Sequence, residues 1–148
     1  RWTQAREHVM AMKELWTKDQ AEFHGRYVDF PPVRCNPKPA QNPPPPVLLG
    51  GASQNVFKRV VRWGDGWLPI RVTPEEVKGA RAALSELAEV ANRDPDSITI
   101  TVYGQNPDAE LIKSFEEAGA NSVVVRVTSP DQAGVLSELE GVASKLLG

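Results

Sequence analysis

The spacing of apolar side chains divides the chain into two regimes. In residues 3–18 they fall at Ala5, Val9, Met12, Leu15 and Trp16, with Arg6, Glu7, Lys13 and Glu14 off the stripe. Gaps of three and four predict one amphipathic helix. Ala21-Glu22-Phe23 and Tyr27-Val28-Asp29-Phe30 flank His24-Gly25-Arg26, which predicts a short hairpin with Gly25 at positive φ in the turn. Residues 31–46 hold eight prolines in sixteen positions. That density predicts an extended strap without ladder pairing, because proline has no amide hydrogen to donate.

From residue 47 the period alternates between strand and helix. Val47-Leu48-Leu49 is a short apolar strand ending in Gly50-Gly51-Ala52-Ser53. A helix follows on Val56, Phe57, Val60 and Val61, with Ser53 as its expected N-cap. Asp65-Gly66 leads into a second strand at Trp67-Leu68-Pro69-Ile70. Thr73-Pro74-Glu75-Glu76 opens a helix on Val77, Ala80, Leu84, Leu87 and Ala91. Ile98 to Tyr103 is a third strand, and 108–118 a helix ended by Gly119. Ser122 to Thr128 is a fourth strand, and Ser129-Pro130-Asp131 starts a last helix. Four strand–helix units predict a parallel α/β arrangement.

The faces of the strands refine that fold. Ile98, Ile100 and Val102 oppose Thr99, Thr101 and Tyr103; Val123, Val125 and Val127 oppose Ser122, Val124, Arg126 and Thr128. A sheet covered by helices on both sides has strands apolar throughout. One apolar and one mixed face fits a (β/α) barrel, with helices outside only. A complete eight-unit barrel takes about 250 residues, so four units in 148 residues predict a parallel (β/α) half-barrel, preceded by a helix and a short β-hairpin. The expected organisation is a single domain over 1–148, with helix, hairpin and strap in 1–46 and four βα units in 47–148.

Composition narrows the partners. A net charge of -2 disfavours a non-specific nucleic-acid binder, which needs clustered Lys and Arg. No apolar run reaches the roughly 18 residues of a membrane span. One Cys forms no internal disulfide and no cysteine-rich metal site. Arg1 opens directly into a helical pattern, without an initiator Met or a signal peptide. The expectation is a cytoplasmic protein and a piece of a longer chain.

Candidate chemistry gathers at the strand ends. Two glycines after an apolar strand, followed by a helix N-terminus, bring backbone N–H groups and partial positive charge to one place, as a phosphate requires. Spacing alone serves a tight βα turn equally well. Arg71 and Arg126 follow the second strand and close the fourth, where a barrel's ligand mouth lies. Each is a candidate for a substrate or other anion; a solvated loop residue and an interior ion pair are the respective alternatives. His8 borders a helix stripe and His24 sits in a turn, both expected to be structural. Cys35 has no neighbouring base to activate it. No Ser/His/Asp set, HExxH motif or metal-ligand cluster appears, so the catalytic residues are unknown and no metal is expected. A cofactor that brings its own reactivity fits that pattern.

Several runs resemble the luciferase-like monooxygenases, the flavin- or deazaflavin-dependent oxidoreductases related to bacterial luciferase. They are Pro37-Lys38-Pro39-Ala40-Gln41-Asn42-Pro43 leading to Pro45-Pro46-Val47-Leu48-Leu49-Gly50-Gly51-Ala52-Ser53, then Arg59-Val60-Val61-Arg62-Trp63-Gly64-Asp65-Gly66-Trp67-Leu68-Pro69. Leu15-Trp16-Thr17 before Phe23-His24-Gly25-Arg26-Tyr27, and Glu117-Ala118-Gly119-Ala120 before a Val-rich strand, match as well. The resemblance implies a TIM-like barrel of which this chain is the C-terminal half, strands five to eight. It implies that Gly50, Gly51, Ala52 and Ser53 hold the phosphate of FMN or of the deazaflavin coenzyme F-420, beside a small-molecule substrate. The N-terminal strands, which in the family supply much of the cofactor ring pocket, are not in this sequence. Two functions follow from it: the C-terminal part of a monooxygenase or deazaflavin-dependent dehydrogenase, inactive alone, or a non-catalytic half-barrel binding or dimerisation module. Open sheet edges predict a homo-dimer or higher assembly.

Overall fold

The computed structural model describes residues 1–146, with Gln54 described by its backbone alone. The chain forms two compact units that divide at Val47 and Leu48.

The first unit begins with α1 (Trp2–Thr17), whose buried residues are Val9 and Ala11. Met12, on the expected stripe, is exposed. The hairpin follows as β1 (Ala21–His24) and β2 (Asp29–Val33), paired antiparallel with Phe23 opposite Phe30 and Ala21 opposite Val33. Two expectations need correction. Pro31 and Pro32 lie inside β2, because in a two-stranded ribbon with a register shift they need donate nothing to the ladder. Gly25 is not at positive φ. It is glycine because a Cβ there would sit 2.5 Å from the Glu7 carboxylate and 2.8 Å from the Phe23 ring. That carboxylate accepts the Tyr27 N–H at 2.7 Å and pins the turn to α1. Lys38 in the strap donates to the carbonyls of Leu15 and Lys18 and so closes the C-terminal end of α1.

The second unit carries a four-stranded parallel sheet in the order β3 (Leu48–Leu49), β4 (Gly66–Trp67), β5 (Thr99–Gln105), β6 (Ser122–Val125). Sequential order without a reversal is the winding of a barrel wall, not of a doubly wound sheet. The crossovers are α2 (Gln54–Trp63), α3 (Pro74–Val90) and α4 (Ala109–Glu117), and α5 (Gln132–Leu146) follows β6. β4 is shorter than its apolar run because Pro69 cannot donate; pairing resumes as one bridge between Ile70 and Tyr103. Thr73 and Glu76 form a reciprocal capping box at the start of α3.

The core lies on the helix-covered face of this sheet. Ile98, Ile100 and Val102 are fully buried, with Val56, Val60, Val77, Leu84 and Phe115 from the helices. The opposite face is half open: Thr99 and Thr101 are half-buried, and Tyr103 and Val124 are exposed. The alternation read from the sequence is therefore the alternation of the structure.

Candidate functional site

All four strands run the same way, so their C-terminal ends share one edge of the sheet. Gly50 follows β3, Arg71 follows the Ile70 bridge, Gln105 ends β5 and Arg126 follows β6. The sequence candidates therefore sit on loops at that edge, and the structure shows how each is held.

The loop 50–53 is solvent-exposed throughout. Gly51 has φ +125°, a conformation that an L-residue adopts only under strain. Gly50 has an ordinary φ, and a Cβ there would rest 3.6 Å from the Leu68 carbonyl, a normal contact. Only the second glycine is thus required by the backbone. The indole N–H of Trp67 donates to the Gly51 carbonyl at 2.8 Å. Trp67 is itself fixed, 3% exposed and edge-on to Phe57 with centroids 5.0 Å apart. The loop is thus pinned by its carbonyl. Among the described residues the N–H groups of Gly51, Ala52 and Ser53 have no acceptor. Ser53 occupies the N-cap position of α2, yet its hydroxyl makes no capping bond, contrary to the sequence reading; its carbonyl accepts the Val56 N–H at 2.8 Å instead. The first turn of α2 contains no acid. Unpaired donors and a helix N-terminus without an acid in its first turn together suit an anion.

Arg71 and Arg126 come together. They line one cavity of about 370 Å³ with Ile70, Tyr103, Gln105 and Asn106. Two local backbone features shape it. Gly104 has φ +78° and marks a shift of register between β5 and β6, which re-aims Gln105 toward the cavity rim. The Gln105 carbonyl accepts the Arg126 N–H at 2.8 Å, fixing the backbone of that residue. Arg71 has φ +54°, rare for a residue with a side chain. Among the described residues neither guanidinium has an ion-pair or hydrogen-bond partner. Among the described residues no acid lines the cavity.

The opposite end of the sheet uses arginine differently, and the sequence reading missed both residues. Arg81 on α3 donates to the carbonyls of Ile98 (2.7 Å) and Gly119 (2.8 and 3.2 Å) and to the Asn121 amide oxygen (2.7 Å). Arg93 donates to the carbonyls of Val60, Val61 and Gly64 at 2.8–3.0 Å, closing the C-terminal end of α2. An Arg in a helix interior and an Arg in a turn carry no sequence mark of such clamps.

The remaining candidates stay apart from these sites. His8 bonds the Gln4 carbonyl one turn earlier. His24 pairs with Asp29 at 2.7 Å across the hairpin, and the hydrogen bond to that carboxylate raises its pKa above the ordinary histidine value. Cys35 is a half-buried free thiol. Among the described residues no group of three or more His, Cys, Asp and Glu converges as a metal requires. No described helix is long and apolar enough to cross a membrane. A second cavity of about 660 Å³ lies between α4, β6 and α5 and is lined mainly by Ile112, Val123, Val125, Leu139 and Val142.

Comparison with known proteins places this geometry. The family model of the luciferase-like monooxygenases matches residues 1–106. An uncharacterized protein of Mycobacterium tuberculosis is 31% identical over 99% of this chain and 51% of its own length. The FMNH(2)-dependent dimethylsulfone monooxygenase of Pseudomonas putida is 28% identical over 86% of this chain and 33% of its own. The chain thus spans about half the length, or less, of these curated relatives. Among solved structures, an F-420-dependent secondary alcohol dehydrogenase in complex with an F-420–acetone adduct superposes with TM-score 0.69 at 18% identity, over 97% of this chain and 62% of that one. The sheet is accordingly part of a TIM-type barrel wall, and with the family match covering most of its length the chain belongs to the luciferase-like monooxygenases.

Proposed function

We propose that this chain is the cofactor-phosphate-binding part of a flavin- or deazaflavin-dependent oxidoreductase, with Gly50, Gly51, Ala52 and Ser53 receiving the phosphate of FMN or F-420. The observation that carries this is the pinned loop: Trp67 holds the Gly51 carbonyl, and three consecutive N–H groups at the start of α2 have no acceptor among the described residues. FMN ends in a phosphomonoester and F-420 carries a phosphodiester; both offer anionic oxygens that such N–H groups and the Ser53 hydroxyl can satisfy. When bound, the cofactor supplies the redox step, reduced flavin with oxygen or hydride exchange on the deazaflavin. The chain's own residues bind and orient it: Gly51 by conformation, Ala52 and Ser53 by donation, α2 by its dipole. The relatives support both cofactors, since one is named for FMNH(2) and a structural neighbour for F-420.

The test is a titration of the complete protein with FMN and with F-420. In Gly51→Ala a side chain is forced into a φ of +125°, a strain of about 1–3 kcal/mol that the loop relieves by turning its N–H groups away. Affinity for one of the two cofactors then falls roughly 10- to 100-fold. Gly50→Ala, with an ordinary φ and free space, binds as the parent does. Ser53→Ala removes one donor and weakens binding by a smaller factor. If Gly51→Ala and Ser53→Ala both fold and bind both cofactors like the parent, the phosphate is held elsewhere.

A further inference from the structure

We infer that the cavity between Arg71 and Arg126 takes the acid group of the substrate, and that the substrate is a small organic acid with an apolar body. The inference rests on the reading of this chain as part of a cofactor-dependent oxidoreductase; the cavity and its chemistry stand on their own geometry.

The charge is the first argument. Two guanidinium groups from separate loops line one cavity of about 370 Å³, and among the described residues no acid lines it. Among the described residues neither is paired. Two like charges in one concavity repel one another unless an anion enters between them. Gln105 and Asn106 on the same wall add amide donors for the remaining lone pairs of a carboxylate or sulfonate.

The second argument is the apolar row below the arginines. Ile70 pairs with Tyr103, and Tyr103 is in register with Val124. These three neighbours, Ile70 beyond the end of β4, Tyr103 on β5 and Val124 on β6, lie side by side on the sheet face opposite the core, the face that a barrel turns toward its interior. A strip of apolar side chains ending at two cations matches a molecule with an apolar body and an anionic head. Inorganic anions use only the second half of that surface. A neutral alcohol, ketone or sulfone leaves both arginines without a counter-charge.

The third argument is backbone geometry. Arg71 is held at φ +54° and Gly104 at φ +78°, so the two walls of this cavity contain two of the chain's few left-handed residues. Such conformations persist where the surrounding structure over-determines them, and they concentrate at ligand sites.

Acid and amide pairs of equal shape test the idea on the complete protein: phenylacetate against phenylacetamide, and hexanoate against hexanamide, each titrated by calorimetry at low and at 0.5 M salt. The expected result is that at least one acid binds ten times or more tightly than its amide, with the preference shrinking in salt. Arg71→Gln and Arg126→Gln each lower acid affinity about tenfold and leave amide affinity, melting temperature and cofactor titration unchanged. Equal binding of acid and amide overturns the inference, as does failure of every acid to bind the parent protein. Loss of FMN or F-420 affinity in the arginine variants, matching the loss in Gly51→Ala, also overturns it and assigns the cavity to the cofactor. Acid binding that survives in Gly51→Ala, whether or not that variant still binds cofactor, supports the inference independently of the phosphate reading.

Discussion

Replacing Arg81 by alanine removes a side chain that hydrogen-bonds α3 to the start of β5 and to the loop between α4 and β6. The guanidinium donates to three acceptors: the Ile98 carbonyl at 2.7 Å, the Gly119 carbonyl at 2.8 and 3.2 Å, and Asn121 Oδ1 at 2.7 Å. Asn121 in turn accepts the Ile100 N–H at 2.8 Å and donates its own N–H to the Ile100 carbonyl at 2.8 Å, so the clamp reaches the core strand. Burial pulls the Arg81 pKa below its ordinary value, but a guanidinium stays charged in the folded protein. A hydrogen bond to a charged donor contributes about 1.5–3 kcal/mol when buried. Three such acceptors would give roughly 4.5–9 kcal/mol, but the site is half-exposed and water replaces part of the loss. A destabilisation of about 2–4 kcal/mol remains, which for a chain of this size lowers Tm by roughly 5–15 °C. Arg81→Met keeps the apolar stem and loses only the donors, so it falls almost as far. Arg81→Lys reaches one or two acceptors and falls between. Urea and thermal unfolding of the four proteins at neutral pH measure this order. A loss under about 1 kcal/mol in Arg81→Ala, or a Met variant equal to the parent, refutes the clamp.

Two further outcomes follow from the same geometry. The Glu76 carboxylate accepts the Thr73 N–H at 2.7 Å and its hydroxyl at 3.0 Å, and these bonds hold its pKa below the ordinary glutamate value. Its contribution is complete above that ordinary value and is lost as pH falls through the lower folded value, so Glu76→Gln has a lower Tm at neutral pH and a flatter acid limb in a pH series of melts; parallel profiles would contradict the capping box. Among the described residues β3 and β6 are paired on one side only, so the 148-residue polypeptide by itself is expected to associate at micromolar concentration; a monomer in light scattering with a cooperative melt would show that the edges are protected.

How far the sequence reached differs from element to element. β5 was legible because its alternation is complete: Ile100 and Val102, with Ile98 just before the strand, are buried and Tyr103 is exposed, as the period of two requires. β4 was overextended because an apolar run says nothing of donors, and Pro69 ends the ladder two residues after Trp67. Gly25 was assigned to a turn conformation when its constraint is crowding by Glu7, a contact across the fold that no local pattern contains. The site divides in the same way. Parallel topology alone placed Gly50–Ser53, Arg71 and Arg126 at one edge of the sheet. It did not distinguish Gly50 from Gly51, since the difference is a dihedral angle, the positive φ of Gly51, that local spacing does not encode. Nor did it bring Tyr103 and Gln105 beside the arginines, because the bulge at Gly104 shifts the register by one residue, and glycine in a strand announces a bulge only as one option among several.

The four arginines show why the two ends of the sheet have different work. In a singly wound βα chain every helix begins at the C-terminal end of a strand and ends near the N-terminal end of the next. Helix C-termini leave carbonyls without donors, and helix N-termini leave N–H groups without acceptors. At the N-terminal end of the sheet an arginine therefore meets acceptors made by the fold itself. Arg93 takes the carbonyls of Val60, Val61 and Gly64 that end α2, and Arg81 takes that of Gly119 beyond α4. At the C-terminal end the fold offers donors instead: the N–H groups of Gly51, Ala52 and Ser53. An arginine placed there, as Arg71 and Arg126 are, meets few carbonyls to satisfy it and adds its charge to the positive ends of the helices. The polarity of the backbone thus makes one edge self-sufficient and leaves the other in want of anions. The two anion sites proposed above, one for a cofactor phosphate and one for a substrate acid, would then share a physical origin, and both agree with the lack of acids, among the described residues, in the first turn of α2 and on the cavity wall.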